Sequence, residues 1–306
     1  MCHCRTSTAT CRRHLPLVPP QPGVPVLRVA LPNKGQLADP SREMLREAGY
    51  PAAHGARELV VQDPDNDAEF FFLRPRDIAT YVASGELDLG ITGLDLLLDS
   101  GSDAETLLEL GFAPSTFRFA APAGVASDVA GLAGLRIATS YAGLLAGHLD
   151  GLGISATIVK LDGAVENSVR LGVADAVADV VATGTTLKQA GLVVVGEPIL
   201  VSQALLVRRA GAPADAAVDT FVRRIQGVIV ARAYVLVDYD VKADFLEAAC
   251  AVTPGFESPT VSPLRDAGWA AVRAMVPRRD VHRVMDDLYD LGARGILVTD
   301  IHACRL

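Results

Sequence analysis

The residues best suited to chemistry lie in one stretch, Asp175–Leu192, DAVADVVATGTTLKQAGL. An apolar strand ends at Val181, and Ala182-Thr183-Gly184-Thr185-Thr186 then turns into a helix that stops near Gly191. Such a turn presents backbone N–H groups and hydroxyls at a helix N-terminus, where negative charge is favoured. Gly184 lets the backbone approach an anion closely, and Thr183, Thr185 and Thr186 can each donate a hydrogen bond. Asp179 stands just upstream, at the end of the strand. A carboxylate there would repel a phosphate but can accept from the two hydroxyls of a ribose, so the pairing suggests a ribose 5-phosphate ligand. A structural alternative stays open: Thr185 or Thr186 as a helix N-cap and Thr183 as a turn residue. The loop is neither a Gly-rich Lys-Ser/Thr nucleotide loop nor a GxGxxG fingerprint.

No Ser–His–Asp or Cys–His constellation competes with this loop. Of five cysteines, Cys2, Cys4 and Cys11 crowd the start while Cys250 and Cys304 sit far away. That is no disulfide framework, and the spacing of the first three with His3 and His14 does not fit a zinc module. An odd count without an export signal suggests a reducing, cytoplasmic setting. His148 is expected to be a surface helix residue.

The elements that must carry the loop read as alternating strands and helices. Strands are expected at 27–31, 70–75, 88–92, 117–122, 135–140, 156–161 and 175–181, with helices at 39–48, 76–84 and between the later strands. Alternation of this kind predicts parallel α/β architecture. Two units follow, 26–115 and 116–204, with 205–227 returning to the first, so a cleft is expected between two lobes where strand C-termini meet. From Gly227 the pattern changes to a long strand over 227–240, a helix, a Pro-rich extended segment, a strand over 269–277, a helix ending at Gly292 and a last strand. This βαββαβ order over 228–306 is the ferredoxin-like arrangement. Residues 15–25 contain five prolines, so no helical signal sequence can form, and 1–25 is expected to be a disordered tail.

Composition narrows the function classes. The 306 residues are 50% hydrophobic and 21% charged, enough apolar side chains for large cores. The charge is −8, from 28 basic and 36 acidic residues, which argues against a general nucleic-acid binder. No apolar run approaches the ~20 residues that span a bilayer, so no membrane role is expected.

Eight segments in order, PNKGQL (32–37), FLRPRDI (72–78), DLGITGLDLL (88–97), RIATSY (136–141), LDGAVE (161–166), ADVVATGTTL (178–187), TPGFESPTVSPL (253–264) and LVTDIHACRL (297–306), resemble long-form ATP phosphoribosyltransferases. The resemblance spans about 26–306. It implies a bilobal, periplasmic-binding-protein-like catalytic core followed by an ACT-like regulatory domain. It also implies the first step of histidine biosynthesis: N1 of adenine in ATP attacks C1 of 5-phosphoribosyl 1-pyrophosphate, releasing pyrophosphate, with Mg2+ as cofactor and histidine as feedback inhibitor. By the same resemblance, Thr183, Gly184, Thr185, Thr186 and Leu187 cradle the 5-phosphate, with Asp179 near the ribose. Lys34 and Arg74 meet pyrophosphate charge, while Asp95, Asp162 and Glu166 lie at the cleft, Asp95 towards ATP. Asp240, Ser258, Thr260 and Gly295 match histidine-holding positions, although Asp240 could also be an N-cap for a helix beginning at Val241. Gly295 stands where relatives often carry Ala, an exchange expected to barely alter the pocket. A homo-oligomer, dimer to hexamer, is implied as well.

The chain departs from that pattern after RIATSY. Ala142-Gly143-Leu144-Leu145-Ala146-Gly147 lacks the proline and the one or two basic residues usual there, so if those cations contact substrate phosphates, affinity is expected to be weaker here or to be supplied from elsewhere. Two other classes share the gross features. A solute-binding receptor is also two-lobed, but its exported forms need a signal sequence that residues 15–25 do not supply. A regulatory subunit without catalysis would keep the sensor, yet Lys34, Asp179 and the whole Thr183–Leu187 loop are retained here.

Overall fold

The computed structural model describes residues 26–50, 59–181 and 184–305. The expected tail, 1–25, and Thr183 lie outside the described residues.

Three sheets organise the chain. The first receives β1 (Leu27–Pro32), then, after α1 (Ala38–Glu47), β2 (Val60–Asp63), β3 (Ala68–Leu73), and, after α2 (Pro75–Ala83), β4 (Leu89–Gly93). Helix α3 (Leu94–Ser100) leads to β5 (Ala104–Glu109). The chain then crosses to a second sheet built from β6 (Ser115–Pro122), β7 (Arg136–Thr139), α4 (Ala142–Leu152), β8 (Thr157–Lys160), α5 (Asn167–Arg170), β9 (Ala176–Val181), α6 (Thr185–Gln189) and β10 (Leu192–Ser202). It returns through β11 (Ala204–Arg209) and α7 (Ala216–Ala233). The third sheet holds β12 (Tyr234–Lys242), β13 (Thr260–Pro263), β14 (Trp269–Pro277) and β15 (Arg294–Asp300), with α8 (Leu246–Val252) and α9 (Val281–Asp290).

Burial explains the sequence patterns. The first two sheets have apolar clusters on both faces, so their central strands are continuous apolar runs; all five residues of β4 are buried. The third sheet is covered on one face only, and β12 alternates accordingly, with Val235, Val237, Tyr239 and Val241 buried against α8 and α9. Helix α9 meets that face with Val281, Val284 and Leu288, the i, i+3, i+7 spacing of a helical stripe.

The strand order β2-β3-β1-β4-β11-β5 in the first sheet and β10-β6-β9-β7-β8 in the second is mixed. Pairs β1–β3, β1–β4, β7–β8 and β7–β9 are parallel, whereas β2, β5, β6, β10 and β11 pair antiparallel. The parallel expectation therefore holds only around each lobe's centre. Strands β2, β5 and β10 had no expectation; the two crossings between lobes run antiparallel because each chain passage reverses direction there. The third sheet, β13-β14-β12-β15, is antiparallel with the ferredoxin-like order.

A second correction concerns 227–240. The run GVIVARA, expected as strand, is the last third of α7, and the strand begins at Tyr234. Its buried residues Val218, Phe221, Ile225, Val228 and Ala231 keep helical spacing. Gly227 does not stop the helix; it makes room for the C-terminal chain, since a Cβ there would lie 2.1 Å from the Cys304 carbonyl oxygen. Among the described residues, no helix is long and apolar enough to cross a membrane.

Candidate functional site

A cleft of about 490 Å3 opens between the first two sheets. Its floor is the pair of crossings, represented by Ala113, Ser115, Ser202 and Gln203. Lobe I supplies Lys34, Arg74, Arg76, Asp77 and Asp95, all at strand C-termini or the first turns of the helices that follow, and lobe II supplies Ser140, Tyr141, Asp162 and Val180. Open α/β sheets place ligands at such strand ends.

Local sequence sets each position. Arg74 is the extended N-cap residue of α2, and Pro75 at the next position has its ring preset for the first helical turn. Asp95 sits in the first turn of α3 and is buried, 7% exposed. Its carboxylate folds back over Gly93, where a Cβ would stand 2.3 Å from Asp95 Oδ1, so a larger residue there would displace the carboxylate. The α3 N-terminus has no cap of its own: Gln203 O accepts from Leu94 N (3.0 Å) and Ser202 Oγ accepts from Asp95 N (3.1 Å). Ser202 Oγ in turn donates to Asp95 Oδ1 at 2.7 Å. The returning crossing thus both caps the helix and orients its carboxylate.

Lobe II answers with Tyr141, whose hydroxyl hydrogen-bonds Asp95. Burial, with the Asp95 and Asp179 charges, pushes the Tyr141 proton far above the usual phenol range, so Tyr141 acts as a donor. Arg76 stacks over the Tyr141 ring, 5.2 Å from its centre. Asp179 lies at the β9 end beside Val180, in the electrostatic reach of Asp95, Glu166 and Arg76. Burial raises its pKa above the ordinary carboxylate value, Glu166 and Asp95 raise it further, and its bond from Val180 N (2.8 Å) works against them.

The sequence-derived candidates separate into groups. Lys34, Arg74, Asp95 and Asp162 line the cleft; Asp179 and Glu166 are not among its lining residues, but Asp179 is in the electrostatic reach of Glu166 and of the cleft residues Asp95 and Arg76. Gly184 and Leu187 line an adjoining pocket with Thr116, Arg118 and Lys188. The N-cap of α6 is Gly184, at φ +72, so Thr185 and Thr186 are its first helical residues and not caps. Ala146 and Gly147 are not among the cleft residues. His148 is half-buried against the Phe119 ring at 5.9 Å, not on the surface, and burial lowers its pKa.

Arg76, Tyr141, Ser202 and Gln203 are among the cleft residues that escaped the sequence reading. Arg76 and Tyr141 lay inside the quoted segments FLRPRDI and RIATSY; the crossing residues had no local signal, since Ser202 meets Asp95 across 107 positions.

In the third sheet, Asp240 lies inside β12, well before α8, and is therefore no helix cap. A Cβ at Gly295 would be 3.6 Å from Asp240 Oδ2, so these two candidates are neighbours. Space permits an alanine there, but φ +58 does not without strain, so the Gly-for-Ala difference is not neutral. Thr260 pairs with Arg273, and Asp240 with Ala271, which leaves Thr260 two strands away and two residues off the Asp240 row. Ser258 and Thr260 are exposed.

Comparison with known proteins places this arrangement. The family model described as ATP phosphoribosyltransferase matches residues 74–227, and that described as HisG, C-terminal domain matches 231–303. The chain is 62% identical to an ATP phosphoribosyltransferase of Pseudarthrobacter chlorophenolicus over 284 residues, covering 92% of this chain and 100% of the relative. It is 59% identical to one of Streptomyces avermitilis over 285 residues, with the same coverage. Among solved structures, the ATP phosphoribosyl transferase (HisG:HisZ) complex from Thermotoga maritima matches with a TM-score of 0.59 at 26% identity, covering 66% of this chain and 98% of that one.

Proposed function

The chain belongs to the ATP phosphoribosyltransferase family, and we propose that the interlobe cleft is where its two substrates meet. The reaction is the first step of histidine biosynthesis: ATP and 5-phosphoribosyl 1-pyrophosphate give N1-(5-phosphoribosyl)-ATP and pyrophosphate.

The observation that supports the site assignment is the gathering at one cleft of two cations without ion pairs among the described residues and of the buried Asp95 carboxylate. Lys34 and Arg74 carry no ion pair among the described residues, although each faces the cleft. They are the cations available to the leaving pyrophosphate. Asp95 and Asp179 supply the negative charge. As the C1–O bond breaks, the ribose takes on oxocarbenium character, and N1 attack then leaves positive charge on the adenine ring. Carboxylates fixed nearby favour both. The Gly184–Leu187 turn supplies backbone donors to the 5-phosphate, with Thr183 part of the same reading, while Asp179 accepts from the ribose hydroxyls and Asp162 and Glu166 complete that wall. No covalent nucleophile is required. Rate comes from holding the two substrates in line and from preorganised charge.

Among the described residues, no group of three or more His, Cys, Asp or Glu could hold a metal ion. Mg2+ therefore belongs to this reading as a companion of the substrate phosphates, and no step is assigned to it. The third sheet is read as the histidine sensor, with Asp240 binding the ligand ammonium and Gly295, Ser258 and Thr260 completing the pocket, and the protein as a homo-oligomer, dimer to hexamer. The test is direct. Protein incubated with ATP, phosphoribosyl pyrophosphate and Mg2+ is expected to form phosphoribosyl-ATP, and Lys34→Ala or Arg74→Ala to lose most of the rate. If both variants kept the wild-type rate, this cleft assignment would fall while the family assignment stood.

A further inference from the structure

Helix α3 carries two carboxylates one turn apart, Asp95 and Asp99, on an otherwise apolar segment, LDLLLDS. Residues spaced i, i+4 share a helix face, and this face looks across the cleft mouth at lobe II. Asp95 is part of the site described above. Asp99 touches no cleft space, yet its side chain is only 9% exposed.

Two of its contacts bind one lobe to the other directly, and the third holds an arginine of its own lobe that itself reaches lobe II. Asp99 Oδ1 accepts from Gly143 N at 2.9 Å and from Leu144 N at 3.2 Å. These are first-turn N–H groups of α4, whose own N-cap residue, Tyr141, offers no side-chain cap. Asp99 Oδ2 accepts from Arg76 Nη1 at 2.9 Å, and the same nitrogen donates to Ser140 O of lobe II at 2.7 Å. A helix of lobe II is therefore capped by a residue of lobe I. Gly143 makes the approach possible: a Cβ there would lie 2.6 Å from the Asp99 carbonyl oxygen, a backbone atom that cannot swing aside. The lobe II stretch gripped in this way, from Ser140 to Leu144, includes Ser140 and Tyr141, which line the cleft.

We propose that Asp99, with Arg76 and Gly143, is an interlobe latch that positions the Tyr141 wall by setting the fraction of protein whose cleft is closed before substrates bind. The proposal rests on the cleft being the site of the reaction. Apparent affinity scales with the fraction of molecules in the competent state. A ligand that closes the cleft on binding makes up for a broken latch once it saturates. Loss of the latch therefore raises KM for both substrates together and leaves kcat nearly unchanged.

The test uses three variants of the full chain: Asp99→Ala, Asp99→Asn and Gly143→Ala. Asp99→Ala removes every side-chain contact that Asp99 makes, and the loss of a helix cap alone predicts a KM increase on the order of tenfold for both substrates. Asp99→Asn keeps an acceptor for the α4 N–H groups and is expected to recover most of that loss. Gly143→Ala deletes no polar group, yet should match Asp99→Ala, and the double variant should be no worse than either single one. A readout independent of catalysis is small-angle scattering of the substrate-free protein. The radius of gyration should increase in Asp99→Ala and Gly143→Ala and return to the wild-type value on adding phosphoribosyl pyrophosphate with ATP. If Asp99→Ala fails to fold, Asp99→Asn and Gly143→Ala carry the test. Unchanged KM values, a fall in kcat alone, or multiplying effects in the double variant would each overturn the latch. Unchanged scattering with altered KM would do so too.

Discussion

Ser202→Ala is the most informative single change. Ser202 is 2% exposed, at the end of β10 where the chain crosses back to lobe I. Its hydroxyl does two tasks: it donates to Asp95 Oδ1 at 2.7 Å and accepts from Asp95 N at 3.1 Å. Alanine removes both. A hydrogen bond to a charged group contributes about 1.5–3 kcal/mol. Loss of a helix-capping acceptor costs about 0.5–2 kcal/mol. The Tyr141 hydroxyl still serves Asp95, so the carboxylate is not stranded, and the lower half of the combined range applies. The expected loss is then roughly 2–3 kcal/mol, a large share of the ~5–15 kcal/mol that holds a folded protein together.

Stability is read from urea unfolding followed by circular dichroism, and activity from kcat/KM for phosphoribosyl-ATP formation. Ser202→Ala should lose both stability and kcat/KM, because Asp95 is less firmly oriented. Ser202→Thr keeps the hydroxyl and should stay within about 1 kcal/mol of wild type. A cycle with Asp95→Asn should give a coupling of at least ~0.5 kcal/mol, since the two groups touch. A stability loss below ~0.5 kcal/mol with kcat/KM retained, or threonine no better than alanine, would refute the view that this hydroxyl holds Asp95.

Three further outcomes are expected. The raised pKa of Asp179, caused first by burial, means that the fold favours its protonated form, so its ionisation costs stability above the ordinary carboxylate pKa and none well below it. Asp179→Asn should accordingly raise the melting temperature at pH 7, lose that advantage near pH 4, and lower kcat/KM throughout; an advantage independent of pH would contradict this. Thr260→Ala is expected to retain catalysis and lose inhibition by histidine, checked by initial rates with and without the amino acid. In the third core, Tyr239 Oη and Thr253 Oγ1 share a buried hydrogen bond of 2.7 Å, and Thr253 Oγ1 also donates to Ala249 O. Thr253→Val strands the buried phenol and should cost about 1–3 kcal/mol, more than Tyr239→Phe, which leaves Thr253 its second partner; equal melting shifts would count against that asymmetry.

The sequence displayed what is local and hid what is returned from afar. Strands such as 27–32 and 89–93, the helix stripe of α9 and the strand–turn–helix around Gly184 follow from periodicity and turn chemistry within a dozen residues. The run VIVARA misled because β-branched residues favour strands; tertiary packing of Val228 and Ala231 in the lobe I core overrides that preference. Strands β2, β5 and β10 are amphipathic or edge segments with weak alternation, defined by their partners. Lys34, Arg74, Asp95 and Asp162 are named through the family resemblance of the segments that hold them and not by any local chemistry of their own. Ser202, and the gripping of Gly143 by Asp99 across 44 positions, depend on how two lobes face one another, which no local pattern encodes.

Net charge takes on a sharper meaning at the cleft. A protein of charge −8 must gather two polyanionic substrates, and the cleft lining does not reverse that sign, with Lys34, Arg74 and Arg76 set against Asp77, Asp95 and Asp162. Nor are the three cations equivalent. Arg76 is held by Asp99 and by Ser140 O, so its charge serves the contact between lobes. Lys34 and Arg74 alone among these three have no such engagement among the described residues. On the proposed reading, two such cations leave most phosphate charge to Mg2+ arriving with the substrates and to backbone dipoles at the Gly184 turn. Substrate affinity should then fall steeply in Lys34→Ala and Arg74→Ala, yet hardly change when exposed acidic residues far from the cleft, such as Asp290, are neutralised. On that reading the positive potential that matters is local, at two side chains and one turn.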